Sequence, residues 1–153
     1  HLGEPTSAAL LPDAPFVGYG WYPPEDIGGE RARWAGDGHE ALLYASLPPD
    51  SAYTMTLRAV AFHEPRAVRV VVGNLVNGEP VVARLGSFTV TPGDWSEYTL
   101  TLPADLMAAS GGDLVISLAA DGAISAAEAG LSADARPLTL ACDWVRFAAV
   151  PGG

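Results

Sequence analysis

The side chains of this sequence with chemistry to offer lie in a few short segments. Gly20-Trp21-Tyr22-Pro23-Pro24-Glu25 runs on to Arg33-Trp34. Trp95 sits in the turn Pro92-Gly93-Asp94-Trp95-Ser96, Arg136 follows Asp134 by two residues, and Asp143 stands in Cys142-Asp143-Trp144-Val145-Arg146-Phe147. Sugar rings present C–H faces that stack on tryptophan and tyrosine, while their hydroxyls seek acids, arginines and amides. Trp21, Tyr22, Glu25, Arg33, Trp95 and Arg136 are therefore candidate ligand-binding residues. Trp21, Tyr22 and Trp95 stand open between a solvent-facing platform and a packed side chain, whereas strand-like flanks place Trp34 and Trp144 in the core.

Catalytic constellations do not assemble. The sequence contains no glycine-rich loop with lysine, no GxGxxG, no HExxH and no nucleophile elbow. His1 is terminal, and His39 and His63 read as solvated residues of a turn and a strand end. Glu25 and Asp26 lack an identifiable partner at the separation a glycosidase needs, and read as an acidic turn. No catalytic residue is expected, and the chain is read as a non-enzyme.

A calcium ion takes six to eight oxygen ligands, but Asp37, Glu40, Asp121 and Asp143 are scattered and show no EF-hand spacing. No cofactor is implied. Asp143 is the one weak metal candidate: a carboxylate in so apolar a strand is paired with an arginine, hydrogen-bonded at a bulge, or a ligand to a structural cation.

These residues need a scaffold, and 153 residues suffice for one domain with a substantial core. Eighteen acids oppose eight bases, all arginine, and the formal charge of −10 repels nucleic acid and anionic lipid. No apolar run approaches a bilayer span. The lone Cys142, inside an apolar run, reads as a small buried hydrophobe with no disulfide partner. Residues 1–14 read as an extended segment or linker, 15–149 as the domain and 150–153 as a tail, as in a piece of a longer polypeptide.

From Glu40 onward, short alternating segments are separated by Pro, Gly, Asn and Asp. Residues 53–62 form the clearest strand, with Tyr53, Met55, Leu57, Ala59 and Ala61 on one face. Val68, Val70 and Val72 repeat the pattern. Asn77-Gly78 suits a type I′ turn, pairing the strand before it with Val81–Ala83. Further strands are expected at 97–102, with Tyr98, Leu100 and Leu102 inward, at 113–118, with Leu114, Ile116 and Leu118 inward, and at 138–147. In that last strand Leu140, Cys142 and Trp144 share one face. Pro103–Met107 starts a short helix ending at Gly111-Gly112, and Ser125–Glu128 has capping-box spacing closed by Gly130. The whole predicts an all-β, jelly-roll type antiparallel sandwich of roughly eight to ten strands with one or two short helical turns.

The segments Gly20–Glu25, Arg33-Trp34, Asp94–Pro103, Asp134–Leu138 and Cys142–Val145 together resemble the non-catalytic β-sandwich domains of bacterial membrane and cell-surface glycosyltransferases. Those domains are similar to galactose-binding-like and carbohydrate-binding-module jelly rolls. The resemblance implies an extracytoplasmic accessory domain of a larger protein, one that binds or positions glycan, does no chemistry and does not itself insert in the membrane. It carries over at Trp21–Glu25, Arg33-Trp34, Asp134 with Arg136, and Asp143. In related jelly rolls a final-strand acid helps hold a structural Ca²⁺, but the acid-rich first strand that supplies the other ligands is missing here. The alternative is a structural or protein-interaction sandwich in which the same residues lock the N-terminal loop in place through a Glu–Arg network.

Overall fold

The computed structural model describes residues 20–23, 25–27, 29–36, 40–76, 79–120 and 122–150. The expectations on residues 1–14, Asp37, His39, the Asn77-Gly78 turn and Asp121 lie outside them. The described chain forms strands β1 (Glu25–Ile27), β2 (Glu30–Trp34), β3 (Glu40–Ser46), β4 (Tyr53–Ala61), β5 (Arg66–Val76) and β6 (Glu79–Val90). Strand β7 (Ser96–Leu102), helix α1 (Ala104–Ser110), β8 (Asp113–Ala120) and β9 (Leu140–Ala149) follow. They make two antiparallel sheets, one of five strands in the order β1-β2-β9-β4-β7 and one of four in the order β3-β8-β5-β6. The expected all-β sandwich is the fold.

Alternation puts every second residue of each strand between the sheets. Met55 and Leu57 of β4, Val68, Val70 and Val72 of β5, Ile116 of β8 and Phe147 of β9 are nearly or fully inaccessible there. Of the inward residues expected on β7, Leu102 is fully buried, while Tyr98 and Leu100 are partly exposed because β7 is an edge strand. Tyr98 closes that side by stacking on Phe88 of β6, with ring centroids 4.9 Å apart. Strands β5 and β6 pair as expected, from Arg66 opposite Val90 to Val76 opposite Glu79. Helix α1 begins after Pro103 and ends on Gly111 in the left-handed conformation. The Ser125–Glu128 capping box forms, with the Glu128 amide donating to Ser125 Oγ at 3.0 Å, but it holds a turn and not a helix.

Two features depart from the sequence reading. The segment from Gly20 to Trp34 is not an irregular entry loop: β1 and β2 form a hairpin at the edge of the five-stranded sheet, with Glu25 opposite Ala32 and Ile27 opposite Glu30. The second departure is a β-bulge. Arg58 pairs with Trp144 but Ala59 pairs with Cys142, so Asp143 is an extra residue on β9. The inserted residue reverses the alternation after Cys142. Leu140, Cys142, Val145 and Phe147 all belong to the inter-sheet core, and Trp144, expected beside Cys142, turns to the outer face with Arg58.

Candidate functional site

The bulge collects most of the polar chemistry on the outer face of the five-stranded sheet. Arg58 and Trp144 are cross-strand neighbours there, Glu97 of β7 faces Arg58 from the other side, and Thr56 faces both Thr99 and Arg146. At the far edge, Glu25 of β1 lies opposite Ala32. A row across five strands spans about 19 Å at the usual interstrand spacing.

Three arginine–aromatic stacks mark this face. The Arg58 guanidinium lies 5.3 Å from the Trp95 ring centroid, that of Arg146 lies 3.8 Å from Trp144, and that of Arg136 lies 5.1 Å from Tyr22. Each joins a cation to a ring, which is favourable, and the N–H edges of Arg58 and Arg136 donate to carboxylates. Asp143, with its side chain only 4% exposed, accepts from Arg58 Nη1 at 2.7 Å. Of the three roles open to it, the structure shows the arginine pair and the bulge together. A short charge-assisted contact is what makes burial of that carboxylate tolerable. Among the described residues, no group of three or more His, Cys, Asp or Glu side chains is placed to hold a metal ion.

At the β1 edge, Arg136 donates to Glu25 Oε2 at 2.9 Å and Oε1 at 3.2 Å, and to Asp134 Oδ2 at 2.8 Å. The hydrogen bonds to Asp134 and then to Glu25 push the guanidinium's pKa further up, and the Arg136 hydrogen bond is the main cause holding Asp134 below the ordinary aspartate value. Tyr22 donates its hydroxyl to the Pro137 carbonyl at 3.0 Å, so ring and guanidinium are fixed to one loop. The clamp ties the first hairpin to the segment leading into β9.

The structure thus brings Tyr22, Glu25 and Arg136 together and sets Trp95 at the opposite side of the same sheet. Arg33 does not join them on the outer face. It pairs with the inward-facing Cys142 and donates to the Tyr22 carbonyl at 3.3 Å, supporting the clamp from behind. Trp21 is a core residue, 8% exposed, whose indole N–H donates to the Leu42 carbonyl at 3.0 Å across to the four-stranded sheet. Its ring offers no platform to solvent. Gly20 makes this placement feasible: with φ +93, it approaches β3 so closely that a Cβ would lie 2.1 Å from the Glu40 carbonyl oxygen.

Trp21, open between two placements in the sequence, is thus packed, and the core placement expected of Trp34 and Trp144 is corrected in part. Trp21 joins the inter-sheet cluster, while Trp144 and Trp34 lie on the outer face, Trp144 nearly covered and Trp34 half-buried with an edge-to-face contact to Phe62 at 5.5 Å. Arg58 and Arg146 escape a sequence reading because each is one polar residue in an alternating strand.

No family model matches the chain, and no curated protein sequence matches it. Solved structures do match. The family 22 carbohydrate-binding module and catalytic unit of Clostridium thermocellum xylanase 10B, crystallised with xylohexaose, aligns with a TM-score of 0.58 and 14% identity, over 87% of this chain and 25% of that one. The first xylan-binding family 22 module of Paenibacillus barcinonensis xylanase 10C aligns with a TM-score of 0.58 and 12% identity, over 90% of this chain and 86% of that module. The chain has the β-sandwich fold of carbohydrate-binding modules. A Podospora anserina β-(1,4)-mannanase carrying a family 35 module also aligns, with a TM-score of 0.53 and 12% identity, over 90% of this chain and 26% of that enzyme. This chain thus spans only about a quarter of the xylanase and mannanase chains and nearly the whole of the isolated module.

Proposed function

We propose that this domain is a non-catalytic carbohydrate-binding module that holds a glycan across the outer face of the five-stranded sheet. The observation that carries the reading is the presence of three arginine–aromatic stacks on that one face, with the hydroxyls of Thr56 and Thr99 in the row beside Arg146. Partly exposed rings take the C–H faces of sugars and guanidinium edges take hydroxyls, a combination that binds and orients without bond cleavage. The likeness in fold to modules of glycan-degrading enzymes supports it.

Trp95, Arg58, Trp144 and Arg146 form the central contact surface, and Tyr22, Glu25 and Arg136 its far end. Trp21 and Arg33 serve by supporting that end. The clamp of Glu25, Arg136 and Asp134 is also what a purely structural domain would use. Trp95, only partly buried and away from that clamp, favours a ligand instead.

We further place the domain outside the cytoplasm as an accessory part of a larger polypeptide. The sequence resemblance favours a glycosyltransferase host, while the structural neighbours named above are a xylanase, the isolated module of a second xylanase and a mannanase. The full-length sequence tests the host directly.

Calorimetric titration against a panel of plant and bacterial cell-wall oligosaccharides tests the binding reading. At least one oligosaccharide should bind, and Trp95→Ala should weaken it roughly tenfold, the loss expected for one stacking contact. Absence of binding across the panel, or unchanged binding in Trp95→Ala, would overturn it.

A further inference from the structure

We propose that this face selects a glycan bearing carboxylate groups, a uronate-containing polysaccharide, with Arg146 as the residue that recognises the carboxylate. The inference rests on the carbohydrate-binding reading and adds the class of ligand to it. Its starting point is a difference among the three stacks. Arg58 lies over Trp95 and is neutralised by Asp143 at 2.7 Å; Arg136 lies over Tyr22 and is neutralised by Glu25 at 2.9 Å and Asp134 at 2.8 Å. Arg146 has the closest stack, 3.8 Å on Trp144, and is exposed, yet among the described residues no carboxylate lies within ion-pairing distance of it.

Stacking gives the exposed charge a fixed geometry. With its central carbon 3.8 Å from the centroid of an indole that is itself 9% exposed, the guanidinium is held against the sheet while the residue stays exposed. A planar fork held in this way matches the two oxygens of a carboxylate and loses little freedom on binding one. The register then supplies the bed beside it. Thr56 lies directly opposite Arg146, Thr54 opposite Ala148, and Thr99 and Thr101 continue the two rows on β7. These five short side chains form a shelf three strands across, about 10 Å wide, with four hydroxyls to meet those of a sugar. A uronate ring on this shelf sets its carboxylate at Arg146 and its hydroxyls on threonine.

Calorimetric titration with oligogalacturonate and with glucuronoxylan oligosaccharides, each beside its carboxyl-reduced counterpart, tests the inference on wild type, Arg146→Gln and Arg146→Lys. At least one acidic oligomer should bind roughly tenfold more tightly than its reduced form, the gain expected from a charged hydrogen-bond pair. Arg146→Gln should bring the two forms to within about twofold of each other, and Arg146→Lys, which keeps the charge but not the fork, should give an intermediate preference. Equal binding of acidic and reduced forms by the wild type, or a preference that survives in Arg146→Gln, would overturn the proposal. If reduced or neutral oligomers bind and lose affinity in Trp95→Ala while carboxylates add nothing, uronate selection fails and the carbohydrate-binding reading stands. If no oligomer binds, both fail.

Discussion

The two outer faces of the sandwich are built by the same alternation and differ in their aromatic chemistry. On the four-stranded sheet, Leu42 and Tyr44 of β3, Val71 of β5, Val82 of β6 and Val115 of β8 point outward, with Tyr44 37% and Val82 67% exposed. Its polar contacts among the described residues include the cross-strand pairs Ser46 with Asp113 at 2.7 Å and Ser117 with Glu40, and Arg69 of β5 lies on the same face. The five-stranded face carries the three arginine–aromatic stacks and a nearly buried aspartate. Each sheet contains a register shift, so a bulge alone does not make a site. In β6 the extra residue is Leu85, which packs against the core; in β9 it is Asp143, which turns Trp144 outward and draws in Arg58. The same backbone device yields an apolar wall or a polar, aromatic face according to the residue inserted.

Substitutions that strip each face in turn should separate them. Trp144→Ala should be the most damaging, costing about 3 kcal/mol and lowering Tm by roughly 6 to 12 °C, because a nearly buried indole is lost from under Arg146. A drop below about 2 °C in thermal unfolding would mean that this face is no second packing layer. Asp143→Ala follows, at about 2 kcal/mol or roughly 4 to 8 °C; it leaves Arg58 without its buried partner, but that arginine's partial exposure keeps the cost below that of a fully buried pair.

Arg136→Ala should lower Tm by roughly 2 to 4 °C at neutral pH, since its ion pairs are a third exposed. This effect carries a pH signature. Because Asp134 is held below its ordinary pKa in the folded state, its contribution is present above about pH 4 and is lost as pH falls toward the depressed value. The Tm gap between wild type and Arg136→Ala should therefore be constant from neutral pH to about 4 and shrink below it. Smallest of all, Val82→Thr and Tyr44→Ser should change stability by no more than about 0.5 kcal/mol and leave glycan titrations unchanged. A loss of sugar affinity in either variant would move the site to the other sheet.

The strands were legible wherever one face alternates cleanly. Tyr53 to Ala61, Val68 to Val72 and Leu114 to Leu118 lie as their periodicity predicts, because burial of one face enforces register. The β1–β2 hairpin was not legible, since two short edge strands bury too little to impose a pattern on Glu25–Trp34. Of the site, the clamp was legible in part: Tyr22, Glu25 and Arg136 meet, and Glu–Arg pairing was expected of them. Trp21 shows the limit, since exposure of an aromatic beside prolines depends on what the chain packs against, here the Leu42 carbonyl on the other sheet.

By itself the sequence determined an antiparallel sandwich and an acidic chain with its aromatics and arginines in a few short segments. It did so because periodicity and charge are local sums over residue types. Which tryptophans meet solvent, and that Arg58, Asp143, Trp144 and Arg146 share one face, only the tertiary structure decided. One inserted residue in β9 reverses the alternation, and whether that insertion is absorbed as a bulge depends on the hydrogen-bonding register of β4, more than eighty residues earlier in the chain.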